Sequence, residues 1–74
     1  MRRGMPPRES QAKATEHVLV HVERARDSLK NVRTDNVSAD GVFIHPQMQA
    51  VSLKVAREEL NKAIALMERT RWTR

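Results

Sequence analysis

Cysteine is absent from this chain, which excludes disulfides, thiol catalysis and cysteine-ligated metals and fits a cytoplasmic setting. Aromatics are nearly absent too: Phe43 and Trp72 make up 3% of the sequence. Two glycines and few β-branched runs leave little material for an all-β fold. No apolar stretch nears the roughly 18 residues of a membrane span, so no membrane partner is expected. The segment Met1 to Arg8 is basic but has no apolar run, and it does not read as a secretory signal. Without such a signal, Asn36-Val37-Ser38 reads as a chance match to a glycosylation sequon.

Catalytic patterns are missing as well. There is no phosphate loop, no His-Glu-x-x-His, no nucleophile context for Ser or Thr and no carboxylate pair in an acid/base setting. A non-enzyme without cofactor or metal is the expectation. His17 and His21 have the spacing that chelates zinc from one helical face. Two ligands do not complete a site, and a solvated or flank-packed pair is the plainer reading.

What remains is 74 residues, 39% hydrophobic and 31% charged, enough for one domain at most. Chains of this size usually need a staple or a partner subunit. Residues 1–9 hold Gly4, Pro6 and Pro7 and read as a flexible basic arm. From Ser10 to about Thr34 there is no Pro or Gly, and Val18, Val22, Ala25, Leu29 and Val32 recur at intervals of 4, 3, 4 and 3. That is a heptad seam. Either Pro7 or Ser10 could open this helix, since Pro suits a first turn and Ser suits an N-cap. Residues 35–45 carry the turn chemistry of Asp35-Asn36 and Asp40-Gly41 around a short apolar run, Val42-Phe43-Ile44, with no obvious strand partner. Pro46 suits the start of a second helix reaching about Arg71, with His45 as N-cap. Leu53, Ala56, Leu60, Ala63 and Met67 form its seam, at intervals of 3, 4, 3 and 4.

Two helices of equal length and a short linker predict an antiparallel hairpin over residues 10–74. Leu19, Val20, Val51, Val55, Ile64 and Leu66 add apolar surface that one pairing does not cover. A homodimer forming a four-helix bundle is the expectation, with the two seams as its core. In architecture the pattern resembles the small repressor-of-primer hairpin dimers, which bind RNA loops. That resemblance implies an RNA-binding dimer, and it transfers no residue, since no motif of that family stands in this chain.

The net charge is +5, which raises a nucleic-acid reading. The excess is terminal, however: +3 in residues 1–13, +3 in 69–74, −2 in the loop 35–45 and near balance in the helix bodies. Arg24, Arg26, Lys30 and Arg33 are the candidates for nucleic acid on the first helix, interrupted by Glu23 and Asp27. Phe43, Arg69, Arg71 and Trp72 are the candidates for a protein target, because Trp and Arg anchor interfaces. Their plainer readings are a plug beneath the loop for Phe43, a fold-back onto Met5 to Pro7 for Trp72 and a frayed, solvated end for the arginines, which in an antiparallel dimer of hairpins would lie near the acidic loop of the other subunit. The first functional expectation is a small regulatory or adaptor protein acting on a target protein of unspecified identity. A nucleic-acid binder and a purely structural assembly subunit are the alternatives.

Overall fold

The computed structural model describes residues 7–72. They form two α-helices that pack against each other, α1 over Pro7–Leu29 and α2 over Pro46–Arg69. Hydrogen bonds at residue pairs 11/71, 21/59 and 28/52 show that the helices run antiparallel. No helix among the described residues is long and apolar enough to cross a membrane.

Both helices begin at a proline, whose fixed φ and missing N–H cost nothing in a first turn. The start of α1 is thus Pro7 rather than Ser10, so part of the segment read as a flexible arm is helical. Its end at Leu29 comes before the expected Thr34. There the bonding tightens to three-residue spacing: the Asn31 amide donates to the Ser28 carbonyl and that of Val32 to Leu29. The Asn36 side chain then donates to the Asn31 carbonyl at 2.6 Å, taking up an acceptor that a further helical turn would have used. At the other end, the Thr70 amide and hydroxyl both donate to the Leu66 carbonyl and close α2 at Arg69, two residues short of Arg71. His45 is the N-cap of α2, with no capping bond from its side chain.

The connection is more ordered than its composition suggests. A short 3-10 turn covers Thr34–Asn36, and Val37 pairs with Phe43 in one antiparallel bridge. Val37 is thus the bridge partner of the Val42-Phe43-Ile44 run. Gly41 sits at φ 85, a left-handed conformation that an L side chain seldom adopts. Ser38 bonds Asp40 across this turn and lowers the pKa of the Asp40 carboxyl.

Small and polar residues make the seam between the helices. Among the described residues its buried apolar members are Ala14, Ala25, Ala56 and Ala63, and no large side chain is fully buried. Gln11, Gln49 and Ser52 are buried beside them. The Ser28 hydroxyl donates to the Ser52 carbonyl at 2.8 Å, which fixes the register near the loop. Gln49 Oε1 is buried without a partner, a local cost that the loop end of the seam carries.

Candidate association faces

The buried and half-buried positions trace the true seam. On α1 they include Gln11, Ala14, Val18, His21, Ala25 and Ser28; on α2 they include Gln49, Ser52, Ala56, Glu59, Ala63 and Leu66. Both sets alternate steps of three and four. The apolar stripe read from the sequence shares only part of each set. Val18, Ala25 and Val32 lie on the α1 seam or continue it, as Ala56 and Ala63 do on α2. Val22 and Leu29 lie one position further round α1, and Leu53, Leu60 and Met67 one position further round α2. Val22 is half-buried; Leu29, Leu53, Leu60 and Met67 are exposed by 39 to 48%.

In an antiparallel pair these displaced positions fall on the same side of the hairpin. The register sets Leu29 beside Leu53, Val22 beside Leu60 and Thr15 beside Met67. One further step round each helix adds Leu19 and Ile64, 56 and 52% exposed. The result is one apolar face running along both helices. Its charged members are all arginines: Arg26, Arg57, Arg8 and Arg71, the last two at the open end. Trp72 joins this face. Its indole N–H donates to the Met67 carbonyl at 2.9 Å, and its ring lines a shallow hollow with Arg8, Ala12 and Thr15. It folds back on the start of α1; Met5 and Pro6, named as its contacts, lie outside the described residues.

The opposite face has different chemistry. A shallow hollow there is lined by His17, His21, Lys62, Ala65, Leu66 and Arg69. His21 Nδ1 donates to Glu59 Oε1 at 2.7 Å across the seam, and Lys62 Nζ stands 3.8 Å from the other carboxylate oxygen. The hydrogen bond from His21 holds the Glu59 carboxyl below its ordinary value, against the contrary effect of burial; the charges of Lys62, His21 and Arg24 add to it. His17 and Arg69 remain exposed at the rim. Toward the loop, this side carries exposed Met48, Val51 and Val55. Among the described residues, no three His, Cys, Asp or Glu side chains come together as a metal site.

The four cations named for nucleic acid are not brought together. Arg24 and Arg26 lie on opposite flanks of α1. Lys30 pairs with Asp27 at 3.3 Å, and Arg33, past the helix end, pairs with Asp35 at 2.9 Å. Phe43 lines a hollow with Val32 and Val37 yet stays 42% exposed, and Val42 and Ile44 on either side of it are exposed as well, so the run does not form a buried plug. Arg71 lends its carbonyl to the Gln11 side chain at 3.1 Å. Arg2, Arg3 and Arg74 lie outside the described residues. Arg57 was not singled out in the sequence; its heptad position beside Leu53 and Leu60 is the signal that marks it. The chain matches no family model, no curated protein and no solved structure.

Proposed function

We propose that this protein is a small non-enzymatic regulator or adaptor that self-associates through its apolar face and binds a target protein with the opposite one. The carrying observation is the outward placement of Leu19, Leu29, Leu53, Leu60, Ile64 and Met67, none less than 39% exposed. Contiguous apolar surface of this kind marks an interface in a water-facing protein. The hairpin alone has little to hold it, since its buried apolar residues are alanines. A second hairpin on the apolar face supplies the large-residue core of a four-helix bundle.

Association would leave the opposite face open. There Met48, Val51 and Val55 stand near exposed Arg24, with His17 and Arg69 further along. Apolar anchors beside cations suit an acidic, amphipathic protein segment better than a nucleic-acid backbone, for which base-stacking aromatics are missing. The nucleic-acid reading keeps one observation in its favour, the exposed arginines of a chain with net charge +5.

The test is retention of partners from a lysate on the immobilised protein, with and without nuclease, followed by titration of RNA and duplex DNA at physiological salt. A protein that survives nuclease and is lost on Val51→Asp supports the adaptor reading. Sub-micromolar, sequence-selective nucleic-acid binding that falls steeply with salt and disappears in the Arg24→Ala, Arg26→Ala, Arg33→Ala variant replaces it.

A further inference from the structure

We propose that the apolar face takes a second copy of this chain in one direction only, with the loop of each hairpin over the open end of the other. This rests on the association reading above and adds to it the direction of the dimer and the charges that set it.

The available area suits that occupant. A helix of this length spans roughly 35 Å and a packed pair is roughly 20 Å wide, so the face offers on the order of 700 Å². Two such faces bury roughly 1,400 Å², inside the range of stable interfaces.

The direction follows from unpaired charge. The contacts 11/71, 21/59 and 28/52 fix which residues share a level along the hairpin. Arg26 and Arg57 share a level toward the loop, while Glu16 and Glu68 share one toward the open end. All four are exposed, and none forms an ion pair among the described residues. Arg26 and Arg57 border the apolar face directly; Glu16 and Glu68 project from the outer edges of the helices.

A two-fold axis crossing the face between Leu19 and Val22 on α1 and between Leu60 and Ile64 on α2 lays α1 on α1 and α2 on α2, each pair running oppositely. Arg26 then lies over Glu16 of the partner subunit, and Arg57 over Glu68 of the partner subunit. Symmetry makes each contact twice. Glu23 comes near Glu16 of the partner subunit and offsets part of the gain. Along the middle, Leu19 lies over Val22 of the partner subunit, and Leu60 over Ile64 of the partner subunit.

The other two-fold arrangement keeps the open ends together and lays α1 on α2. Arg26 then faces Arg57 of the partner subunit, and Glu16 faces Glu68 of the partner subunit. These are like charges on like, again twice, and Glu23, three residues from Arg26 on the outer edge of α1, offsets only part of the repulsion. Like-charge juxtaposition selects against a partner geometry more strongly than attraction selects for one.

The experiment uses the absence of cysteine. Ala39→Cys, exposed in the loop, gives the chain its only thiol for a spin label. Dipolar spectroscopy of the labelled dimer should give a separation above roughly 40 Å, since the loops lie at opposite ends of a bundle about one helix length long. A separation under roughly 25 Å at dimer mass, two helix diameters or so, overturns the direction and leaves the association reading standing. A monomer mass at sedimentation equilibrium overturns both. Independently, Arg26→Glu should weaken dimerisation roughly tenfold, and adding Glu16→Arg should restore it. An unchanged or tighter Arg26→Glu dimer refutes the proposal, because tightening is what the opposite direction requires.

Discussion

Leu60→Asp should separate what holds the hairpin from what covers it. Leu60 keeps 40% of its surface exposed within one chain. Full burial of a leucine is worth about 1.5–3 kcal/mol, so the exposed share contributes about 1 kcal/mol per copy on association. A carboxylate in its place, buried without a partner, costs about 1–3 kcal/mol more. A two-fold dimer doubles both effects, giving about 4–8 kcal/mol and a loss of at least roughly a thousandfold in dimer affinity. Asn61→Asp adds the same charge one residue along, on the outer surface of α2, and should change affinity by less than about threefold. Sedimentation equilibrium over a concentration series reads both variants. Isolated helices of this length are marginal in water, so dissociation should also lower helicity, and the loss in Leu60→Asp should reverse at high protein concentration. If the two aspartates behave alike, or if Leu60→Asp stays dimeric at the wild-type concentration, the apolar face is not the interface.

Two further outcomes concern the seam. Ala56→Leu inserts three carbons where the helices meet and should destabilise the protein by about 1–3 kcal/mol, read as a lower Tm at fixed concentration. Glu59 has a depressed pKa in the folded chain, so it stabilises the fold above its ordinary value of 4.5, and that contribution disappears as pH falls through the folded pKa. Thermal melts across this acid range should show a drop that Glu59→Gln removes; an unchanged profile in the variant would discount the His21–Glu59 bond.

The helices and their direction were legible because proline, glycine and apolar spacing report backbone behaviour directly. The connection was not, because it is held by specific polar bonds. Asn36 to the Asn31 carbonyl and Ser38 to Asp40 look like any other loop residues in sequence. The early end of α1 has the same origin. Between Ser28 and Val32, no proline or glycine signals a stop, and the chain leaves the helix by tightening its own hydrogen bonds.

The seam was only half legible, and the reason bears on function. A hydrophobic stripe in a sequence marks surface that leaves water, without saying what covers it. In this hairpin the helices meet along alanine, serine and glutamine, with the His21–Glu59 pair between them. The large residues of the stripe stand to one side, on both helices and on the same side. Alanines let two backbones approach closely, and that approach turns the leucines outward rather than inward. Had Val22, Leu29, Leu53 and Leu60 faced each other across the hairpin, the chain would have spent its apolar surface on itself. Their rotation by one position leaves most of that surface exposed, where the proposed association would cover it. The same rotation places Arg26 and Arg57 at the margin of the apolar face, where in the proposed dimer a guanidinium would lay its stem along apolar neighbours and its charge toward a carboxylate of the second copy. The seam and the exposed apolar face thus diverge at a single step round the helix, and intervals of three and four cannot resolve that step without knowing which residues touch.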